Sequence, residues 1–373
     1  MKWLCAGLLA LHGLIHFLGL AKALAPGRLP QFTQAVSRPQ GLLWMAAGLL
    51  LLAAAGLLAA GVAAAGEPVR VIFDTDIMGD VDDVGAVAVL HALAAGGEAT
   101  ILAMGVSAKN PDCVPCLDAL NTYFGRPDIP IGVVKGKGFL KRSRYSRQIS
   151  DEFPHKIKSA DEVPDAALLY RKVLAGQPDG AVTIISVGQL TNFRNLLQTE
   201  ADEHSKVPGP ELVRQKVKLW VCMGGTFPEG REANFRHDGP ASAYAVAHWP
   251  TPIVFSGSEI GVEILTGGRL AELPETSPVR RAYQLYNGLR PHKSWDQTAV
   301  LYGVRGQTGG LSSLWDLHTS GHCHVLPDGS NAWRPGTDKP HAYLVRKMPP
   351  AAVAKIIEEL MLHQPTPPLG PTP

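Results

Sequence analysis

A dominant charge of either sign is missing from this chain. Only 18% of its 373 residues are charged, and 35 cations against 33 anions leave a formal net charge of +2. That balance excludes the basic footprint of a nucleic-acid binder, and there is no acidic tail. Cysteine is scarce too, and five in a chain this long do not form a disulfide scaffold. Cys113 and Cys116 make a CxxC in PDCVPCLDAL, at a loop-to-helix start. A redox role needs a thioredoxin-like surround and a zinc site needs a second pair, so packing or a local disulfide is the simpler reading. The 39 glycines and 30 prolines follow no fixed period, which excludes a fibre and reads as the turns of a loop-rich fold.

Long apolar runs are present, but only at one end. WLCAGLLALHGLIHFLGL (3–20) and LLWMAAGLLLLAAAGLLAAGVAAA (42–65) are each close to the ~20 residues that cross a bilayer as a helix. The segment between them carries Arg28 and Arg38, with Lys22 just before it, and the positive-inside rule makes it cytoplasmic. Residues 1–66 are therefore expected to be a membrane hairpin, with the lipid bilayer as partner and the long C-terminal region extracytoplasmic. The second run ends in AAAG, so cleavage there, giving a secreted protein, is the alternative. His12 and His16 lie four apart on one helix face, and either hold a ligand or hydrogen-bond to the second helix.

From residue 67 the pattern turns globular. Apolar β-rich runs alternate with helical stretches: VRVIFDT then VGAVAVLHALAAG, ATILAMGVSA then CLDALNTYFG, AVTIISVG then LTNFRNLLQ, followed by VKLWVCMGG and TPIVFSG. The expected fold class is α/β, with a mostly parallel central sheet flanked by helices over residues 67–363. Polar residues cluster after each strand, at the edge where open α/β sheets bind ligands. The stretch from about 306 to 342 reads as irregular, 349–362 as a closing amphipathic helix, and the proline-rich 364–373 as a disordered tail.

The densest charge lies in VIFDTDIMGDVDDVGAV (71–87), with five aspartates in ten positions after a buried strand. Neighbouring carboxylates raise one another's pKa unless a cation lies between them. Asp74 and Asp76 at the strand end, with Asp80, Asp82 and Asp83 in the following loop, supply the hard oxygen ligands that calcium or magnesium prefers. Two enzyme classes use Asp-x-Asp at such a place. In a haloacid-dehalogenase-type phosphatase Asp74 would be the nucleophile, but Ile77 and Met78 depart from that pattern and Asp82-Asp83 go unexplained.

The stretch more closely resembles the signature of the inosine–uridine-preferring nucleoside hydrolases, Asp-Thr-Asp, a spacer, then Asp-Asp. Further similarities follow in order: VSAKN ending at Asn110, SVGQLTN (186–192), MGG (223–225), REANFRHDGPASA (231–243) and SWDQTAV (294–300). The resemblance implies hydrolysis of the N-glycosidic bond of ribonucleosides with calcium (Ca2+) as cofactor. It implies Asp76 as general base and metal ligand, with Asp83, Asp296 and the Val187 carbonyl as further ligands. Asp82 and Asn110 would hold the 2′- and 3′-hydroxyls, Glu232 and Asn234 the 5′ side, and Met223 the sugar wall. Deoxy or phosphorylated sugars are expected to react less well, and a homo-oligomer is expected.

Two departures bear on the substrate. Asp80 is an extra carboxylate in the spacer, either a ligand or a solvated loop residue. Trp295 stands where many purine-processing members have a histidine before the last aspartate. An indole does not protonate a leaving base but can stack on one; His292 is the nearby alternative acid. A nucleoside- or sugar-binding membrane protein without turnover is therefore a third reading. The late cluster His318, His322, Cys323 and His324 lacks a partner motif for zinc and reads as a loop capping the pocket.

Overall fold

The computed structural model describes residues 2–25, 35–64, 67–306, 314–336 and 338–365. Arg28, the end of the AAAG segment and residues 366–373 of the tail lie outside them. The chain divides into two compact units, Met1–Glu67 and Pro68–Pro373.

The first unit is two helices, α1 (Lys2–Leu24) and α2 (Arg38–Ala64), and both are long and apolar enough to cross a membrane. α2 begins before its apolar run because SRPQ forms a capping box: Ser37 Oγ accepts from Gln40 N, and Gln40 Oε1 accepts from Ser37 N at 2.9 Å. Small residues let the helices approach closely, since a Cβ at Gly48 would lie 2.8 Å from the Gly13 carbonyl oxygen. Large apolar side chains such as Leu43 and Leu50 face outward. His16 meets α2 by edge-on packing against Trp44 at 5.7 Å rather than by a hydrogen bond, its Nδ1 having no partner.

The second unit contains strands β1 (Val69–Thr75), β2 (Ala99–Val106), β3 (Ile131–Val133), β4 (Val182–Ser186), β5 (Val217–Met223), β6 (Glu229–Gly230) and β7 (Ile253–Ser256). After them come β8 (Leu265–Thr266), β9 (His292–Lys293), β10 (Trp315–His318), β11 (His322–Val325), β12 (Asn331–Arg334) and β13 (His341–Arg346). Eight form the main sheet, in the order β10-β13-β7-β5-β4-β1-β2-β3, parallel throughout except at β10. β1 thus lies between β4 and β2, buried on both faces. Val71 and Phe73 point into one core with helix α3 (Asp82–Ala95), while Ile72 points into the other with Tyr170, Phe193 and Trp220. Alternating sides along an apolar run explains why VRVIF can be a central strand.

The segment expected to be irregular, 306–342, instead holds β10, β11, β12 and the start of β13. These strands are short and interrupted by Gly321, Gly329 and Gly336, all at positive φ, so no period shows in the sequence. Their structure comes from pairing with distant partners: β13 joins the main sheet beside β7, and β12 pairs with β6. The closing helix runs Pro350–Met361, burying Val353, Ile357 and Met361.

Two buried histidines make the fold acid-sensitive. His91 on α3 lies 2.9 Å from Asn121 Oδ1 through Nε2, while Nδ1 accepts from Arg126, which has only donors. His341 accepts from Cys323 N through Nδ1, and its Nε2 is unpaired. Burial is the main cause that brings both down to about 3. The unfolded chain therefore binds more protons between about pH 6.5 and 3, so this stability is complete above pH 6.5 and is lost as pH falls, by roughly 1.4 kcal/mol per pH unit for each group. Buried carboxyls act in the opposite sense, so the readout is a comparison. We expect the Tm of the full-length chain to fall more steeply from pH 7 to pH 5 than that of His91→Gln.

Candidate active site

Asp76 lies just past the C-terminal end of β1, and the next turn is held in an unusual shape. Ile77 adopts φ 31°, a left-handed conformation costly for a β-branched residue. Its N–H donates to Thr75 Oγ1 at 3.2 Å and to Asp83 Oδ1 at 3.0 Å, and its carbonyl accepts from Ser146 Oγ at 2.9 Å. This turn brings Asp82 and Asp83 into the first turn of α3. The helix Trp295–Arg305 packs against α3 and contributes Asp296 from its own first turn.

Carboxylate oxygens of Asp82, Asp83 and Asp296 lie within 4.8 Å of one another, all buried. Burial first, and then mutual repulsion, pushes each well above the usual carboxylate range. Asp83 Oδ1 accepts from Thr75 Oγ1, and Asp82 Oδ2 accepts from Asp296 N at 3.3 Å. Asp82 Oδ1 and Asp83 Oδ2 have no hydrogen-bond partner among the described residues. Orphaned carboxylate oxygens converging in a dry site fit a hard divalent cation. Asp76 beside them is raised to about 6, by burial foremost, while Gln189 Nε2 donates to its Oδ2 at 2.6 Å and opposes the rise.

The remaining expected residues divide by location. A cavity of about 360 Å³ is lined by Asp76, Asp82 and Asp296 on its acidic side and by Val187, Met223, Glu232, Asn234 and Trp295 elsewhere. That volume suits a nucleoside-sized ligand. Asn234 Nδ2 donates to the carbonyls of Val187 at 3.0 Å and Met223 at 3.3 Å. Glu232 caps the Ala233–His237 helix, accepting from Asn234 N at 2.7 Å and Phe235 N at 3.2 Å, and burial raises it to about 7. Trp295 presents its ring, with Nε1 donating to the Ser258 carbonyl at 2.8 Å.

Asp83 and Asn110 are buried but do not line the cavity. Asn110 bonds to the Lys141 carbonyl and to Asp112 N, at 3.0 and 2.9 Å. Asp80 lines the rim, with His292 Nε2 at 3.8 Å from its Oδ2, and this pair forms a second acidic group with Asp82.

Several motifs resolve differently from the site. Asp74, the nucleophile of the phosphatase reading, is fully buried below the cavity, where it accepts from Tyr170 Oη and from Asn192 Nδ2 at 2.8 Å. It cannot reach a substrate there. Cys113 and Cys116 are free, buried thiols whose pKa burial raises, and Cys113 packs beneath the acidic turn, donating to the Asp76 carbonyl at 3.4 Å. In β11, His322 and His324 point to one side and buried Cys323 to the other. No residue of that late cluster lines the cavity.

Sequence reasoning missed Gln189, Phe139, Lys141, Arg231, His237 and Tyr286. Gln189 had a signal, since it stands in SVGQLTN where the pattern has proline. His237 and Arg231 lie within REANFRHDG. Phe139 and Lys141 had none, because only the tertiary fold stacks Phe139 on His237, with ring centroids 3.8 Å apart.

A parallel sheet that delivers clustered carboxylates to such a cavity defines a metal-dependent α/β enzyme. The family model for inosine-uridine preferring nucleoside hydrolase matches residues 71–315. The chain belongs to that family and is a hydrolase acting on N-glycosyl compounds. No curated protein matches it. Among solved structures, it is similar to an inosine-uridine preferring nucleoside hydrolase from Bacillus anthracis, at 16% identity and TM-score 0.60, over 79% of this chain and 99% of that one. It is similar to a plant nucleoside hydrolase, PpNRh1, at 19% identity and TM-score 0.58, with the same coverage. A third neighbour is the type III effector XopQ, complexed with adenosine diphosphate ribose, at 17% identity and TM-score 0.56, over 82% of this chain and 96% of that one.

The unpaired carboxylates generate a stability test. Asp82→Asn removes like-charge repulsion, so in chelator the Tm of the full-length chain should rise, by about 2–4 °C for each kcal/mol relieved. A divalent cation should raise the Tm of the parent chain and do so less in the variant. An unchanged or lowered Tm in chelator would mean that the carboxylates do not strain one another.

Proposed function

We propose that this chain hydrolyses the N-glycosidic bond of ribonucleosides, releasing ribose and free base, with calcium as its resident ion. The observation that carries the reading is the convergence of Asp82, Asp83 and Asp296 with two carboxylate oxygens unpaired, beside Asp76 on the wall of the same cavity. Asp76, Asp83, Asp296 and the Val187 carbonyl would hold the ion. Calcium bound there lowers the pKa of a water molecule and fixes its position.

Asp76 would serve as the general base toward the attacking water, and the Gln189 amide at 2.6 Å keeps its carboxylate in one orientation. Asp82 accepts from a ribose hydroxyl. Asn110 Nδ2 donates to a ribose hydroxyl oxygen once it exchanges its bond to the Lys141 carbonyl for one to the sugar. Asn234 and Glu232 hold the 5′ side against Met223. As the C1′–N bond breaks, the ribosyl group gains oxocarbenium character, and the surrounding carboxylates stabilise that charge. The Trp295 ring stacks on the base, a wall that tolerates more than one base.

The two apolar helices support a bilayer hairpin, with the Arg28 and Arg38 segment cytoplasmic and the hydrolase extracytoplasmic. Calcium is plentiful there, so a weak site stays filled.

The test uses the full-length chain in detergent, with free ribose measured from a panel of purine and pyrimidine nucleosides. Asp76→Asn should lower kcat by about 10²–10⁴-fold, as expected for loss of a general base, and chelation should abolish release. Release that persists in Asp76→Asn sinks the assignment, and ribose binding without release means a binding protein. Trp295→Ala should raise KM by about tenfold, the equivalent of one stacking contact, and affect kcat less.

A further inference from the structure

Two residues that the family resemblance leaves without a role meet beside the cavity. One is Asp80, the additional carboxylate of the spacer, and the other is His292. With Asp82 they come together from three separate pieces of backbone, each held in place. Asp82 lies in the first turn of α3. Asp80 lies in the turn before it, and its carbonyl accepts from Tyr145 Oη at 2.8 Å. His292 lies on β9, opposite Thr266 of β8, and its ring packs edge-on against Tyr286 and Trp295, with centroids 5.0 and 6.1 Å away. One ligand atom from each of the three lies within 4.8 Å of the other two.

These atoms are short of partners. Asp82 is 1% exposed; its Oδ2 accepts from Asp296 N, and its Oδ1 has no hydrogen-bond partner among the described residues. His292 Nε2 is shielded from solvent and unpaired, and its 3.8 Å to Asp80 Oδ2 is too long for a hydrogen bond. Among the described residues, no lysine or arginine forms an ion pair with Asp80 or Asp82. The calcium assigned above takes Asp76, Asp83, Asp296 and the Val187 carbonyl, which leaves Asp82 Oδ1 free.

An imidazole nitrogen with two carboxylates is a different donor set from the all-oxygen cluster. Calcium takes about six to eight oxygen ligands, whereas zinc binds histidine and carboxylates tetrahedrally at about 2.0–2.2 Å, with neighbouring donors roughly 3.4 Å apart. The 3.8 Å between His292 Nε2 and Asp80 Oδ2 is close to that spacing. Three protein donors leave a coordination position open, and Asp80 and Asp82 both line the cavity. We propose that Asp80, Asp82 and His292 form a second metal site, selective for a zinc-like transition cation over calcium, whose occupancy inhibits the enzyme. A cation held there takes the Asp82 oxygen that a ribose hydroxyl needs. The site does not depend on the reaction, but the inhibition rests on the riboside-hydrolase reading.

The experiment titrates the full-length chain in detergent, saturated with calcium, with zinc by calorimetry. We expect zinc to bind without displacing calcium. His292→Ala and Asp80→Asn should each weaken it by about 100-fold or more, since even an outer-shell partner of a metal ligand is worth about 10–100-fold. The Asp80 side chain is 40% exposed, so Asp80→Asn tests the site even where His292→Ala fails to fold. The His322→Ala/His324→Ala double variant should bind zinc as the parent does, which separates this site from the late histidine cluster. In turnover, zinc at ten times its Kd should raise the KM of a cleaved nucleoside about tenfold by mass action, without lowering kcat. Asp80→Asn should abolish that rise.

Zinc binding that persists in both site variants would overturn the proposal, as would zinc that enters only as calcium leaves. So would zinc that binds as expected yet leaves KM unchanged while ribosides are cleaved. If no riboside is cleaved and zinc binding still requires His292 and Asp80, the metal site stands and the hydrolase reading fails.

Discussion

Repulsion among carboxylates that are kept from water is the constraint around which this molecule is arranged. Asp82 and Asp83 open α3, and Asp296 opens the Trp295–Arg305 helix. Two helix N-termini, each with a partial positive charge and free N–H groups, therefore face one acidic cluster. The Asp296 N–H answers Asp82, and the Ile77 N–H and Thr75 hydroxyl answer Asp83. This is too little for three buried carboxylates, as the unpaired oxygens show. Holding such a cluster in place requires a rigid frame, which the position of β1 at the centre of a parallel sheet and the close packing of α3 provide. Gly85 permits that packing, since a Cβ there would meet Gln297 at 2.3 Å.

Around the cluster, the walls are particular to this chain. Gln189 adds an amide donor to Asp76 where the family pattern has a proline, which carries no side-chain donor. The Trp295 indole lines the cavity where many purine-processing members have an imidazole. The Phe139–His237 pair is uncharged: burial, together with Arg236 and Lys141, lowers His237 to about 4. The pocket thus keeps a family ground plan at its acidic floor and departs from it in the side chains around that floor.

The N-terminal unit follows different physics. Its helices approach through glycines and turn leucines outward, the reverse of the α/β unit, in which large apolar side chains face inward. A lipid environment suits the first arrangement and water the second.

The sequence by itself determined the α/β class, the burial of VRVIF as a strand and the crowding of the aspartates from Asp74 to Asp83 just past it, and its resemblance to a family implied that Asp296 joins them. The first two follow from apolar patterning, and the crowding is legible because residues just past a parallel strand and at the start of the following helix share one edge of the sheet. Only the tertiary structure decided what that edge looks like. Short strands such as β10–β12 form by pairing with distant partners, which leaves no local period to read. Asn110 is drawn to Lys141, and Phe139 to His237, by contacts between segments about 30 and 100 residues apart in the chain. Whether a charge is buried or presented depends on what packs over it, and local sequence does not carry that information.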